Sequence, residues 1–225
     1  MEGRDDAWLA DDAALPPDPM PVLARWLDEA FADRLEPHPH AIALATVDPD
    51  GAPSARMVLC KRVELEQGAV VFYTHRESRK GRALAAHPRA ALVFYWGPQD
   101  RQVRVEGPVL PTSDAEGDAY FATRPADAQL GAWASRQSEP IASRAALEER
   151  MAEVAARFGV ETRGVAQAAV PRPPSWGGYR VVADAVELWR GRPGRIHDRA
   201  LYRRTLAERD GRLVGGSWRV ERLQP

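Results

Sequence analysis

Ala41-Ile42-Ala43-Leu44-Ala45-Thr46-Val47-Asp48-Pro49-Asp50-Gly51 decides the fold class: an apolar run ends in an Asp-Pro-Asp-Gly turn. Ser54 to Lys61 then reads as a second strand, and Glu66-Gln67-Gly68 as the turn into a third, Ala69 to Thr74. Short strands joined by tight turns predict an antiparallel meander rather than βαβ units. Further on, Glu77 to Ala86 reads as a short helix that stops before Pro88. Ala90 to Trp96 and Gln102 to Leu110 read as strands joined by the Gly97-Pro98 turn. Ser113-Asp114-Ala115-Glu116 is a capping box for a helix towards Thr123. A second helix spans Ser143 to Phe158, with Leu147, Met151, Val154 and Phe158 on one face and Gly159 as its stop. Pro171 to Pro174 is a stiff connector, after which Gly178 to Trp189, Arg195 to Arg204 and Arg212 to Arg222 read as closing strands. Towards the N-terminus, Asp18 is placed to cap a helix with Pro19 at its first position. Leu23, Trp26, Leu27, Ala30 and Phe31 form that helix's docking stripe. Residues 1–17 read as a poorly ordered acidic tail and 18–225 as one domain. The expected architecture is mainly β, an antiparallel barrel with helices inserted late and at one end.

The chain has 225 residues, enough for a sizeable core. Its 31 Lys+Arg nearly balance its 32 Asp+Glu, so no global field favours nucleic acid or an anionic membrane, and any anion site must be local. The one cysteine, Cys60, excludes an internal disulfide framework and a cysteine-based zinc site; it reads as a small buried hydrophobe. No metal site is expected. No apolar run approaches the roughly 18 residues that span a bilayer. The start lacks the order of a signal peptide, so the cytoplasm is the expected location.

Four basic clusters require explanation. Arg56 and Lys61 flank Met57-Val58-Leu59-Cys60. Ser78-Arg79-Lys80 follows Tyr73-Thr74 near a helix start, an arrangement that suits a phosphate but, taken alone, is more often an ordinary solvated helix end. Tyr120 and Arg124 lie four apart on one helical face. In Trp189-Arg190-Gly191-Arg192-Pro193-Gly194-Arg195-Ile196-His197-Asp198-Arg199, an extended backbone would point Arg195, His197 and Arg199 the same way. That face suits an anion, or is a solvated strand with a chance histidine. Gln129-Leu130-Gly131-Ala132-Trp133-Ala134-Ser135-Arg136-Gln137-Ser138 is either an ordinary loop or a stretch whose amides and hydroxyls read a planar ligand. His38, His40, His75 and His87 read as surface residues. No Gly-x-Gly-x-x-Gly, Walker loop or paired-histidine motif occurs. A Ser-His-Asp triad stays open, without a nucleophile elbow.

In order, these segments resemble the pyridoxamine 5′-phosphate oxidase family. The resemblance is carried by Arg56 to Lys61, Phe72-Tyr73-Thr74, Ser78-Arg79-Lys80, Arg101-Gln102-Val103 and Tyr120 to Pro125. It continues through Gln129 to Ser135, Gln137-Ser138, Ser175-Trp176-Gly177-Gly178-Tyr179, Trp189, Arg195 to Arg199 and Trp218 to Pro225. It covers about residue 20 to the end. It implies an FMN-binding split barrel that works as a homodimer with sites across the subunit interface. It also implies oxidation of pyridoxine or pyridoxamine 5′-phosphate to pyridoxal 5′-phosphate, with dioxygen reduced to hydrogen peroxide. Carried over, the FMN contacts are Arg56, Met57, Val58, Leu59, Cys60, Lys61, Tyr73, Thr74, Arg79, Lys80, Gln102, Gln137, Ser138, Trp189 and Arg199. The substrate contacts are Lys61, Tyr120, Arg124, Arg195 and His197. Arg195 and His197 would be catalytic, orienting the pyridine ring and assisting proton removal. The chain departs from the family pattern at Ala126 and at Ala128, where a serine usually meets the substrate phosphate. That departure leaves open a flavin oxidase acting on another substrate, such as a dihydrophenazine. A non-catalytic flavin- or pyridoxal-phosphate-binding module is the third reading.

Overall fold

A computed structural model describes residues 6–10, 14–160 and 170–225. The meander is present: β1 (Ala41–Val47) pairs antiparallel with β2 (Pro53–Leu59), and β3 (Arg62–Glu64) with β4 (Ala69–His75). β5 (Arg89–Trp96) joins β1 on its other side and runs into β6 (Arg101–Pro111). β6 makes the sheet curl. Its first half pairs with β8 (Ala185–Arg190), and its last residues pair with β7 (Trp176–Val182), which continues onto β4. The partner change occurs at Gly107, where a Cβ would lie 1.9 Å from the Val182 carbonyl oxygen, so only glycine lets the two backbones approach. Beyond β8 come β9 (Asp198–Arg203) and β12 (Arg219–Arg222); β10 (Leu206–Arg209) and β11 (Arg212–Gly215) form a separate hairpin. The result is the expected mainly antiparallel split barrel.

Its interior is filled from the alternating faces. Ile42, Leu44, Leu92, Phe94, Val103, Val105, Val186, Leu188 and Tyr202 are all fully buried. Helix α2 (Met20–Asp33) packs on this core: of the stripe expected from its spacing Leu23, Trp26 and Ala30 are buried and Leu27 is partly buried, but Phe31 is exposed, and Met20 is buried in addition. Each such side chain contributes about 1.5–3 kcal/mol by leaving water. Helices α3 (Arg79–Ala86), α4 (Asp114–Ala122), α5 (Ala126–Ala134) and α6 (Arg144–Phe158) follow. The last three, with β7, enclose a smaller core of Phe121, Leu130, Ala155 and Trp176. The capping box at Ser113 and Glu116 forms, and Gly159 ends α6 at φ +63°.

The structure corrects several boundaries. Gly178 to Trp189 is two strands, broken where the chain turns at Ala183 and Asp184 to change sheet partner. Arg195 does not begin a strand: Pro193–Arg195 is a 3₁₀ turn with Gly194 and Arg195 both left-handed, and β9 starts at Asp198. Arg212 to Arg222 divides into β11 and β12. Gln129 to Ala134, the first part of the Gln129 to Ser138 stretch for which an ordinary loop was one reading, lies in helix α5. Asp18 precedes the cap, Pro19, and accepts the Met20 amide at 2.9 Å. Part of the stretch read as a tail is packed. Helix α1 (Ala7–Ala10) carries Leu9 into the core, and Asp6 is fully buried. Residues 1–5 and 11–13 of that stretch lie outside the described residues.

Candidate active site

A cleft of about 650 Å³ lies between the β2 edge, the end of β4, and helices α4 and α5. Alternation along β2 exposes Met57 and Leu59 and turns Val58 inward against the core. Tyr73 and Thr74 are the penultimate residues of β4, and the chain then turns so that Ser78 caps α3, its Oγ accepting the Gly81 amide. That cap places Arg79 and Lys80 in the first helical turn, beside Thr74.

Two groups of cations stand at this cleft: Lys80, Lys61 and Arg124 line it, while Arg56 and Arg79, next to Lys80, do not. In the first, the buried Lys80 ammonium donates to Gln137 Oε1 (2.8 Å), Thr74 Oγ1 (3.2 Å) and Ser78 Oγ (3.2 Å), all neutral oxygens. Burial, then the neighbouring Arg56 charge, pulls its pKa down to about 8. Arg56 donates to Thr46 Oγ1 (2.7 Å) and Ser54 Oγ (2.6 Å). Arg79 is ion-paired with Asp48 at 2.6 Å. In the second group, Lys61 Nζ lies 5.8 Å from the Tyr120 ring centre, and Tyr120 stacks on Tyr73 at 4.2 Å. Tyr73 stacks in turn on Trp176 at 5.3 Å. Arg124 lies over the same Trp176 ring at 4.8 Å, and its Nη1 is buried with no hydrogen-bond partner among the described residues. Burial lowers its pKa. Arg124 lines the cleft, and a guanidinium with no carboxylate partner among the described residues suits an anion there.

The cluster around Gln129 divides by role. Gln129 is not among the residues that line the cleft; its amide nitrogen donates to the carbonyls of Phe121 (3.1 Å) and Arg124 (3.0 Å), which fixes the turn that carries Arg124. Gln137 faces the cleft, and Ser138 follows at φ +75°, a left-handed backbone that Ser rarely adopts. His75, read as a surface residue, is buried on the cleft wall. Burial and then Lys80 and Arg124 lower its pKa, so it stays neutral between two cations. Its only sequence signal is its place as the last residue of a buried strand. Trp176 and Thr123 also line the cleft without having been singled out as ligand contacts. Cys60 is buried, its thiol pushed up to about 12 by burial, as expected of an inert packing residue.

The remaining candidates gather elsewhere. Gln102, Trp189 and Arg199 are cross-strand neighbours on β6, β8 and β9. Arg199 Nε donates to Glu187 at 2.8 Å, which raises its pKa, and Nη1 donates to the Gln224 carbonyl at 2.9 Å. His197 packs its ring on Trp189 at 4.7 Å, and Arg195 is exposed on the turn before it. Arg195, His197 and Arg199 therefore share no strand face, because Pro193 and two left-handed residues form a turn where an extended segment was expected. None of these five residues lines the cleft of its own chain.

The residues fit a phosphorylated flavin. Lys80 is buried with neutral partners, a β-strand edge is open, and the cleft has room for an aromatic ring system. The family model described as pyridoxamine 5′-phosphate oxidase matches residues 27–158, and that described as the pyridoxine 5′-phosphate oxidase C-terminal dimerisation region matches 176–225. The chain is 52% identical to a pyridoxine/pyridoxamine 5′-phosphate oxidase of Burkholderia ambifaria, over 96% of this chain and 92% of that one. It is 53% identical to one of Rubrobacter xylanophilus, over 97% and 92%. Among solved structures, PhzG from Burkholderia lata in complex with tetrahydrophenazine-1-carboxylic acid superposes with a TM-score of 0.79. The two share 32% identity, over 97% of this chain and 96% of that one. An FMN-binding protein of Nostoc punctiforme, 17% identical, shares the fold with a TM-score of 0.68 over 94% of this chain and all of that one.

Proposed function

The chain belongs to the pyridoxamine 5′-phosphate oxidase family, and from that premise we propose that it oxidises pyridoxine or pyridoxamine 5′-phosphate to pyridoxal 5′-phosphate with FMN. The observation that carries this is one cleft with two separate cation groups, one around Lys80 and one around Arg124, where neither Lys80 nor Arg124 is paired with a carboxylate among the described residues. Two phosphates satisfy two such groups. FMN bound here would supply the redox chemistry, a hydride acceptor for C4′ of the substrate that dioxygen reoxidises with formation of hydrogen peroxide. Lys80, with Thr74 and Gln137 around it, would hold the flavin phosphate, and the β2 edge from Arg56 to Lys61 would line the flavin. Lys61, Tyr120 and Arg124 would hold the substrate phosphate, with Tyr73 and Trp176 stacked behind Tyr120. Gln102, Trp189, Arg195, His197 and Arg199 complete the site in this reading when a second copy of the chain supplies them. The exposed Met57 (62%) and Leu59 (41%) on the open sheet edge, with the match to a dimerisation region, support a homodimer. No helix among the described residues is long and apolar enough to cross a membrane, and we place the enzyme in the cytoplasm as part of the same proposal.

The second reading, a reduced phenazine as substrate, is favoured by the likeness to PhzG and by Ala128, which lines the cleft and offers no hydroxyl to a phosphate. Losing one neutral hydrogen bond costs about 1 kcal/mol, while each charge-assisted bond from Lys61 or Arg124 contributes about 1.5–3 kcal/mol. The balance favours the phosphate. Anaerobic addition of pyridoxamine 5′-phosphate to the yellow, flavin-loaded protein is expected to bleach its visible absorbance. Bleaching by a dihydrophenazine and by neither B6 phosphate would establish the second reading; binding of either without bleaching would make the protein a binding module.

A pH dependence follows from Lys80. With its pKa near 8, the ammonium is charged below that pH and neutral above it, while a phosphate monoester is a dianion throughout this range. FMN affinity of the apoprotein is therefore expected to fall as pH rises from 7 to 9, read by quenching of flavin fluorescence. Constant affinity over that window would remove Lys80 from the flavin phosphate.

A further inference from the structure

We infer that His197 serves as a hydrogen-bond donor through Nε2, fixed in that tautomer by the backbone amide of Arg192, and is not the base that takes the substrate's proton. The inference rests on the proposed reading that His197 faces the substrate. The Arg192 N–H lies 3.2 Å from His197 Nδ1. A backbone amide can only donate, so Nδ1 must present its lone pair to it. A neutral imidazole has one donor and one acceptor, so the proton resides on Nε2. The opposite tautomer would set two N–H groups against each other at this distance.

Two further contacts keep the ring in this position. Its face lies on Trp189, centroids 4.7 Å apart and planes inclined by 42°. The Arg192 side chain bonds Asp198, next to His197, through Nε at 2.6 Å. The turn that carries the amide is thus tied to the first residue of β9, next to the imidazole, and Gly194 and Arg195 complete it at φ +70° and +63°. What remains free on His197 is a donor, suited to an acceptor atom on a substrate ring and unable to accept a proton at that nitrogen.

The test uses flavin-loaded protein labelled with ¹⁵N-histidine. The chain has five histidines, and His197 is assigned by the signals that vanish in His197→Gln. Its Nε2 is expected to be protonated and its Nδ1 unprotonated; the reverse pattern overturns the inference whatever the kinetics. The same variant adds a second readout, because Gln returns an N–H close to the Nε2 position whereas His197→Asn returns polar atoms only near Nδ1. With pyridoxine 5′-phosphate, Gln is expected to keep kcat within about tenfold, one hydrogen bond's worth, and Asn to lose more. A general base contributes about 10²–10⁴ in rate; a loss of that size, equal in both variants, overturns the donor role. Unchanged KM and kcat in both variants would instead overturn the placement of His197 at the substrate, with the NMR pattern still standing.

Discussion

Replacing Arg101 with methionine is expected to lower the free energy of unfolding by about 3–5 kcal/mol, the usual loss when one partner of a buried ion pair is removed. β6 alternates strictly, and Arg101 falls on its inward face, where it is 2% exposed. The core tolerates it because three groups converge on it. Asp6 accepts from its Nη2, Glu29 of α2 accepts from Nη1 at 2.5 Å, and the Trp26 ring lies 4.8 Å from its Cζ. Asp6 is fully buried and also accepts from Trp26 Nε1 at 3.0 Å and from Arg25 at 3.1 Å. Without Arg101 that carboxylate keeps Trp26, Arg25 and, at 3.8 Å, Arg190, but loses the one buried cation it has among the described residues. Arg101→Met combined with Asp6→Leu should regain much of the loss, because removing both charges removes the desolvation penalty with them. Urea unfolding of the flavin-free protein at one fixed concentration measures both, since association would otherwise shift the midpoint. A loss under about 1 kcal/mol in the single variant would mean that Asp6 is not held as described.

The same cluster shows where reading the sequence stops. Strand alternation, turns and helix caps are local, so the Ala41 to Thr74 meander, the Ser113 capping box and the Gly159 stop were all legible. Asp6 was not: its partners stand 20 and 95 residues away, and an acidic, alanine-rich stretch carries no trace of a buried ion pair. The split of Gly178 to Trp189 was hidden for a related reason. β7 and β8 are both apolar and buried, and what separates them is the partner change along β6, a property of the whole sheet. In the site, the family resemblance implied two phosphate-bearing ligands, and the structure brings Lys61, Tyr73, Thr74, Lys80, Tyr120, Arg124 and Gln137 into one cleft. His75 escaped notice because burial at a strand end is set by packing, and Arg195 was misaimed because periodicity takes no account of a left-handed backbone. The group on Trp189 and Arg199 was found by resemblance, and within one chain it stays apart from the cleft.

Arg124→Met should weaken the binding of pyridoxine 5′-phosphate by about 2 kcal/mol, roughly thirtyfold, while FMN remains bound. The guanidinium lies half-buried over Trp176 with one nitrogen lacking an acceptor among the described residues, an arrangement that costs desolvation in the free protein and is offset when an anion binds the group. Removing it should therefore cut affinity without lowering the thermal stability of the flavin-loaded protein, since methionine fills similar space without a charge to desolvate. The loss should appear in KM at nearly constant kcat, because a phosphate remote from C4′ is held equally before and during hydride transfer. Flavin release on substitution would mean that the Lys80 and Arg124 groups hold the two phosphates in the opposite sense. A fall in kcat at constant KM would place the guanidinium at the reacting end of the substrate. A loss of stability matching the loss of affinity would show that Arg124 is bonded in the free protein, and the anion site around it would have to be sought elsewhere in the cleft.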